Sequence, residues 1–196
     1  MIQNRDTSAP MLAVIKKHHA TSLHYDLRLG WNGVMLSWAI LQGPSYCPED
    51  KRVAIQVEDH ARENAGFEGI IPAGRYGAGI VMLWDTGTWE PQPGYGDVAA
   101  ALRDGCLKFT MLGEKIKGNW TLERMAGESN RRWPRWLLIK DHDQFARTRH
   151  EPSILDEAPN SVNKGKSLEE IARDWTKGKS KNTSQASLFE SIHDEE

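Results

Sequence analysis

The chain has 196 residues, with 25 basic and 27 acidic side chains and a formal net charge of −2. This length favours one domain with a tail. The charge balance excludes a strongly basic nucleic-acid coat and leaves a local basic patch open. The sequence has no apolar run long enough to cross a membrane, and Met1–Pro10 lacks the apolar core of a secretory signal. Because Cys47 and Cys106 are the only cysteines, we expect a cytoplasmic protein.

Composition divides the chain into three parts. Residues 1–10 are expected to form a flexible N-terminal arm, residues 11–149 a dense β domain, and residues 150–196 a polar C-terminal extension. In the extension, Ser167 and Glu170 form a capping-box pattern, and Leu168, Ile171 and Trp175 follow at helical spacing. These features predict a short helix over 167–177.

Short apolar runs separated by turn signals predict the strands of the β domain. They are Met11–Ile15, Leu23–Leu29, Val34–Leu41, Arg52–Val57, Ile80–Trp84, Leu107–Leu112, Trp120–Met125 and Trp136–Ile139. Asp85-Thr86-Gly87 and Gly113-Glu114-Lys115 are predicted hairpin turns, and Asp97–Arg103 is a predicted helix. Short strands with few helices predict a mainly β fold, either a sandwich or a barrel.

The segment Leu23–Leu29 alternates strictly between apolar and polar residues. On a strand this alternation places His24, Asp26 and Arg28 on one face, with His24 and Asp26 about 7 Å apart along the strand. A turn can bring His18 back to the same position. Two imidazoles and one carboxylate form a three-ligand set that suits Mn, Fe, Co or Zn. The alternative interpretation is a solvated polar face.

The segment from Arg52 to His60 repeats the pattern. Its polar residues of one parity are Arg52, Gln56, Glu58 and His60. If both segments face one cavity, that cavity contains a metal, two guanidinium groups and a free imidazole. Arginine binds tetrahedral phosphate through paired N–H donors, and a divalent metal polarises a phosphoryl oxygen. The combination therefore indicates phosphoryl chemistry, with a salt-bridge ladder as the alternative for either strand alone.

Two further motifs have a structural and a functional interpretation. Arg131–Trp136 interleaves arginine with tryptophan, which is typical of a loop that holds a phosphate backbone and stacks an end base. The alternative is a solvated loop with Trp136, and Trp133 too, in the core. Gly74–Gly79 is rich in glycine but lacks a G-K-[ST] ending, so it predicts a tight turn rather than a phosphate cradle.

A series of short motifs, in order and with few gaps from about Met11 to Ala146, resembles the 3′-phosphoesterase domain of bacterial and archaeal ATP-dependent DNA ligase D. The motifs are Lys17-His18, Leu23–Leu29, Ser37-Trp38-Ala39, Gly43-Pro44, Lys51-Arg52, Val57–His60, Phe67-Glu68-Gly69, Ile71-Pro72, Gly74, Tyr76–Gly79 and Trp136–Lys140. The resemblance implies a compact, closed or nearly closed β-barrel with few short helices. It also implies a metal-dependent 3′-phosphodiesterase and 3′-phosphomonoesterase. Such an enzyme removes a 3′-terminal ribonucleoside and then the 3′-phosphate, which leaves a 3′-hydroxyl for end joining.

The resemblance also assigns roles to individual residues. It implies a divalent metal on His18, His24 and Asp26, with Mn²⁺ expected and Zn²⁺ or Co²⁺ as alternatives. Arg28, Arg52 and His60 would be catalytic and would also contact the phosphate.

Further substrate contacts would come from the position of Gln42 and from Arg5 and Asp6 in the N-terminal arm. The family usually has a lysine where this chain has Gln42, and often a tyrosine where this chain has Asn64. Lys16 is a candidate to compensate in part for the missing cation.

The chain contains no K-x-D-G nucleotidyl-transfer motif. We therefore expect a stand-alone enzyme that acts on DNA or RNA–DNA primer-template 3′ ends. We expect it to work with a separate DNA ligase or polymerase and to have no membrane partner. Two other functions are open at this point. His24-Tyr25-Asp26 with a distal His60, His142 or His150 would form the facial triad of an Fe(II)-dependent β-barrel oxygenase. A barrel that binds nucleic-acid ends without cutting them is the second.

Overall fold

The computed structural model describes residues 11–177. Its strands are β1 (Met11–His19), β2 (Leu23–Trp31), β3 (Val34–Ile40), β4 (Arg52–Ala61), β5 (Gly69–Ile71), β6 (Gly79–Pro91), β7 (Cys106–Gly113), β8 (Lys117–Arg124) and β9 (Arg135–Lys140). The helices are α1 (Val98–Asp104), α2 (Ile154–Glu157) and α3 (168–177), and a 3-10 helix spans Arg62–Asn64. No helix within the described range is long and apolar enough to cross a membrane.

Eight of these strands close into an antiparallel barrel. The order is β1-β2-β3-β4-β9-β8-β7-β6, and pairing of β1 with β6 completes the ring. Closure pairs the strand edges that an open sheet would expose. Each barrel strand overlaps a predicted strand, whereas the three-residue β5, which pairs with the start of β6, was not predicted. The predicted mainly β barrel with few short helices is confirmed.

Tryptophan fills much of the barrel interior. The largest fully buried side chains include Trp38, Trp84, Trp89, Trp120 and Trp136. Several pack edge to face, for example Trp38 against Trp136 with ring centroids 6.0 Å apart. Four of the five indole N–H groups find acceptors, such as the Gln56 Oε1 atom 3.0 Å from Nε1 of Trp136, whereas the buried Nε1 of Trp38 has none. This core supports the inner face of the strands that carry the candidate site on their outer face.

The predicted turn at Asp85-Thr86-Gly87 is wrong, because β6 continues through it to Pro91. Asp85 is fully buried, and its carboxylate accepts hydrogen bonds from the backbone N–H groups of Lys115 and Ile116. These donors lie in the connection between β7 and β8, close to the predicted turn at Gly113-Glu114-Lys115. A turn-forming sequence is thus used inside a strand to fix a turn elsewhere in the barrel.

The helix predicted at Asp97–Arg103 forms as α1, one residue later. The Asp97 side chain accepts the Ala100 N–H and caps the helix, which ends before Gly105 in the left-handed conformation.

The chain after β9 packs back on the barrel. Ile154 of α2 and Leu168 and Ile171 of α3 join the main cluster of buried apolar residues. At the start of α3, Ser167 and Glu170 exchange the two hydrogen bonds of a capping box. The predicted arm 1–10, with Arg5 and Asp6, and the extension beyond residue 177 lie outside the described residues.

Candidate active site

The candidate site lies on the outer face of the barrel. In β2, Tyr25, Leu27 and Leu29 enter the core, so the intervening polar residues face outward. The antiparallel register places Lys16 of β1 opposite Asp26, and His18 opposite His24. Opposed residues share a face of the sheet. The segment from Asn64 to Gly77 adds a further wall, and together these elements enclose a pocket of about 590 Å³.

Three side chains at one end of the pocket form a ligand cluster. His18, His24 and Asp26 each offer a donor atom, and these atoms lie within 4.8 Å of one another. Nδ1 of His18 is 3.4 Å from Oδ2 of Asp26, and Nε2 of His24 is 3.5 Å from Oδ1. In the described part of the chain this is the only cluster of its kind, so the distal His60, His142 and His150 of the oxygenase hypothesis do not belong to it.

Backbone carbonyls determine which nitrogen of each imidazole is available. Nε2 of His18 donates to the Gly77 carbonyl at 3.0 Å, and Nδ1 of His24 donates to the Ser22 carbonyl at 3.1 Å. In the neutral rings, the nitrogens that face Asp26 therefore carry lone pairs. Two lone pairs directed at a carboxylate repel unless a proton or a cation lies between them. The donor set thus fits a divalent metal, with the second nitrogen of each ring held as in known metal sites.

The shifted pKa values of the cluster reflect the same demand for positive charge. The pKa of His24 is raised, mainly by its hydrogen bond to Asp26. Burial disfavours ionisation of Asp26, but hydrogen bonds that His18 and His24 donate when a proton lies on the facing nitrogen, together with the charge of Arg28, outweigh it, so the pKa of Asp26 lies far below its usual range. The carboxylate is therefore ionised at neutral pH and available as a ligand.

Arg28 brings an incompletely satisfied guanidinium into the pocket. The residue is 9% exposed, its Nη2 lies 3.8 Å from Oδ2 of Asp26, and its buried Nε has no hydrogen-bond partner in the structure. Buried N–H groups without acceptors are rare in folded proteins because each costs free energy. An anion with several oxygens, such as a phosphate ester, would satisfy it.

His60 reaches the same pocket through a β-bulge. Glu58 and Asp59 of β4 stand opposite the single residue Leu36 of β3, so the alternation of β4 changes there. The Ser37 hydroxyl donates to the Met35 carbonyl at 2.8 Å and accepts from Nδ1 of His60 at 3.1 Å. Nε2 of His60 is therefore the ring nitrogen left to exchange a proton. Burial and the nearby Arg28 lower the pKa of His60.

The bulge also explains why Arg52 does not share this pocket. Before the bulge, Arg52 has the parity of buried Ala54 and lies at the end of the barrel. Its guanidinium donates to Gln42 Oε1 at 2.9 Å and to Asp50 Oδ2 at 3.2 Å, and it lines a different pocket. The prediction that Arg28 and Arg52 face one cavity is corrected accordingly. Gln42 accompanies Arg52 rather than the ligand cluster.

Lys16 supplies a second cation to the pocket. Its Nζ donates to the backbone carbonyl of Asn64 at 2.6 Å and lies 5.6 Å from the ring centroid of Phe67. Burial and the charge of Arg28 lower the pKa of Lys16 to about 8, against the attraction of Asp26. Asn64, at the position where the family often has a tyrosine, lines the pocket too. Lys16 and Asn64 therefore lie side by side in one wall of the pocket.

Comparison with known proteins identifies the family of the part of the chain that carries this site. A profile of the DNA ligase D 3′-phosphoesterase domain matches residues 16–124, a range that includes the whole ligand cluster, Arg28 and His60. The chain belongs to the DNA ligase D 3′-phosphoesterase family. The family predicted from the motifs is thereby confirmed, and its members are hydrolases of phosphate esters.

Two relatives illustrate the extent of the similarity. The multifunctional non-homologous end joining protein LigD of Pseudomonas aeruginosa is 41% identical over 160 residues, which cover 81% of this chain and 18% of that protein. The multifunctional non-homologous end joining DNA repair protein LigD of Mycobacterium tuberculosis is 40% identical over 134 residues, which cover 67% of this chain and 16% of that protein. The chain therefore spans less than a fifth of the length of these relatives.

The loop Gly74–Gly79 contributes more to this candidate site than its sequence suggests. It is a turn, as predicted, with a positive φ of 73° at Gly77 that favours glycine. The Gly77 carbonyl orients His18, and Tyr76 lines the pocket mouth. Ser37, which orients His60, is the other contributor that residue patterns did not single out as a site residue. The only earlier signal for either was their place in the family motifs.

Proposed function

We propose that the protein is a metal-dependent DNA 3′-end-processing enzyme, a 3′-phosphodiesterase and 3′-phosphomonoesterase. It removes a 3′-terminal ribonucleoside and then the 3′-phosphate, and so prepares a 3′-hydroxyl for end joining. One observation carries the proposal. The unsatisfied Nε of Arg28, the free Nε2 of His60 and the cluster of His18, His24 and Asp26 belong to a single pocket.

His18, His24 and Asp26 would hold the divalent metal, with Mn²⁺ as the expected ion and Zn²⁺ or Co²⁺ as alternatives. When bound there, the metal supplies polarisation of a phosphoryl oxygen and a lowered pKa for water. The Gly77 and Ser22 carbonyls keep the ligating nitrogens directed at Asp26. This preorganisation removes the cost of orienting the rings when the site is loaded.

Arg28 binds the non-bridging oxygens of the terminal phosphate through Nε and its terminal nitrogens. Its attraction to Asp26 and the packing around it fix the guanidinium before substrate arrives. Lys16 adds a second positive charge from the adjacent strand. Fixed cations of this kind stabilise the charge that develops on phosphoryl oxygens in the transition state.

His60 moves the proton. During hydrolysis the attacking oxygen forms a bond to phosphorus, the bond from phosphorus to the ester oxygen breaks, and the leaving oxygen takes up a proton. Because Nδ1 of His60 donates to Ser37, Nε2 of the neutral ring carries the lone pair, takes the proton of the attacking oxygen and then gives it to the leaving oxygen. Ser37 acts through His60 and is a positioning residue.

The proposed substrates are DNA or RNA–DNA primer-template 3′ ends, in the setting of end joining in the cytoplasm. The 3′-hydroxyl product suits a DNA polymerase or ligase as the next activity. Arg52 lines a pocket other than the one that contains Arg28, so we assign the reacting phosphate to Arg28 and not to Arg52 or its hydrogen-bond partner Gln42.

A 5′-labelled primer-template that ends in one ribonucleotide tests reaction class, metal dependence and number of steps together. With Mn²⁺ we expect two successive products, first with a 3′-phosphate and then with a 3′-hydroxyl, and no product without a divalent metal. A matched primer ending in a deoxynucleotide controls for general nuclease activity. Unaltered primer would contradict the proposal and favour a non-catalytic end-binding barrel. Consumption of oxygen with a 2-oxo acid would favour an oxygenase.

A further inference from the structure

The pocket that contains the ligand cluster is larger than a metal ion and one phosphate group require. Its volume of about 590 Å³ lies within the range of roughly 300–1,000 Å³ in which proteins enclose whole small molecules. The ligand cluster lies at one end, and Arg28 and His60 line the same pocket. A phosphate group held by Arg28 therefore accounts for only part of the space.

Much of the remaining wall is apolar. The apolar side chains that form it are Val57, Phe67, Ile71, Tyr76 and Val81. Ile71 lies next to the ligand cluster, because a Cβ placed on Gly77 would be 3.7 Å from Cδ1 of Ile71 and 3.9 Å from Cε1 of His18. Apolar surface thus begins directly beside the groups assigned to the phosphate and the metal.

Two aromatic rings of this wall are exposed. Tyr76 is 74% exposed and Phe67 is 37% exposed, and they are two of the five exposed large hydrophobic side chains in the described part of the chain. The Phe67 ring is held from two sides, by the edge of Trp175 at 6.5 Å between centroids and by Nζ of Lys16 at 5.6 Å. Exposed rings in a concave site offer flat apolar surface to a ligand that is itself flat.

The shape of the substrate limits what can enter this space. In the first step of the proposed reaction, the reacting phosphate joins the primer to its terminal ribonucleoside. On the primer side the chain continues as a duplex with the template, which is too wide for a pocket of this volume, so the duplex must lie outside. On the other side the chain ends after one nucleoside, and one nucleoside fits.

We propose that the apolar wall of Phe67, Ile71 and Tyr76 is a subsite for the base of the 3′-terminal nucleoside, the leaving group of the first step. The inference rests on the proposed function. Only this nucleoside leaves its template partner, and every nucleotide before it stays paired. Enzymes that act on one base of a duplex hold the extruded base between aromatic and apolar side chains. Because every base has a flat face, the subsite should accept all four bases.

Removal of the base from the substrate tests the subsite. Two primer-templates differ only at the primer 3′ end, which carries either riboadenosine or a ribose with hydrogen in place of the base. In both, the template lacks the opposing base, so no base pair has to open. Equilibrium binding without divalent metal gives Kd, and initial rates with Mn²⁺ give KM. For the wild type we expect tighter binding of the adenosine primer.

Tyr76→Ala should raise Kd and KM about tenfold for the adenosine primer, as loss of one base–aromatic stack does. It should have little effect with the primer that lacks the base, so the two changes are not additive. Tyr76→Phe keeps the ring and should retain most of the affinity. Leu112→Ala is the matched control, because it removes another exposed apolar side chain, on β7 and outside the pocket. We expect this control to distinguish the two primers as the wild type does.

The two proposals fail in different ways. If the Kd values follow this pattern but neither a nucleoside nor a 3′-phosphate is released, the subsite stands and the proposed function falls. If the nucleoside is released and Tyr76→Ala affects both primers equally or not at all, the subsite is overturned. Release of a 3′-phosphate alone, with Kd values that do not depend on the base, also overturns the subsite and leaves phosphate ester hydrolysis in place.

Discussion

Replacement of Arg28 by methionine separates phosphate binding from metal binding. Nη2 of Arg28 lies 3.8 Å from Oδ2 of Asp26. A charge pair at about that distance is worth about 4 kcal/mol at an effective dielectric constant near 20, and a hydrogen bond to a charged group contributes about 1.5–3 kcal/mol net. A substrate phosphate that takes the unsatisfied Nε should gain a similar amount. Loss of about 3 kcal/mol corresponds to a fall of about 100-fold in kcat/KM.

The affinity for Mn²⁺ should not fall with the activity in the Arg28→Met variant. Methionine removes a positive charge beside Asp26, so the affinity for Mn²⁺ should stay the same or increase. The pKa of His60, which burial and Arg28 both lower, should move up towards its ordinary value. Arg28→Lys keeps the charge but loses the planar fork, and it should recover only part of the activity.

Three measurements decide the matter. Initial rates of phosphate release from a 3′-phosphate oligonucleotide give kcat/KM, isothermal calorimetry gives the Mn²⁺ affinity, and NMR titration follows His60. Arg103→Met controls for loss of a guanidinium elsewhere, since Arg103 pairs with Asp104 on the surface. An unchanged kcat/KM, or a Mn²⁺ affinity that falls together with the activity, would refute the assignment of Arg28 to phosphate.

Three further outcomes follow from the site and its support. Ser37→Ala removes the acceptor for Nδ1 of His60 and should lower kcat about tenfold with little change in KM, as loss of an orienting partner does; an equal kcat in steady-state kinetics contradicts this. Because the pKa of His24 is raised, protons compete with the metal for its imidazole at pH values above the ordinary imidazole pKa. The Mn²⁺ affinity should therefore weaken about tenfold per pH unit below the raised pKa, and calorimetry showing no change between pH 6 and 8 opposes it. Trp175→Ala removes the ring packed against Phe67 and Gly69 and should lower the free energy of unfolding by about 2 kcal/mol; an unshifted urea midpoint argues against that contact.

The outward face of β2 could be predicted because every second residue of the strand is large and apolar. These apolar residues, Tyr25, Leu27 and Leu29, enter the barrel core. The alternating polar residues His24, Asp26 and Arg28 must then lie on the outer face. The place of His18 in the cluster was harder to predict. The spacing between His18 and His24 allows a turn that brings them together but does not require one. Its register opposite His24 is a property of the β1–β2 hairpin in the folded chain.

Arg52 shows where alternation stops being informative. The bulge at Glu58 and Asp59 inserts one residue into β4, so residues before and after it no longer share parity. Nothing in the local sequence marks that insertion. Asp85 is a similar case, because its burial is decided by the N–H groups of Lys115 and Ile116, about thirty residues away in the chain.

Hydrolysis of a 3′-phosphate oligonucleotide by the wild type and by Asp26→Ala, each with saturating Mn²⁺, tests the central claim most directly. The wild type should release phosphate and leave a 3′-hydroxyl. Asp26→Ala should release none, while its circular dichroism spectrum shows that the barrel is folded. Full activity in a folded Asp26→Ala protein, or no release by the wild type with any divalent metal, would contradict the claim that this pocket processes 3′ ends.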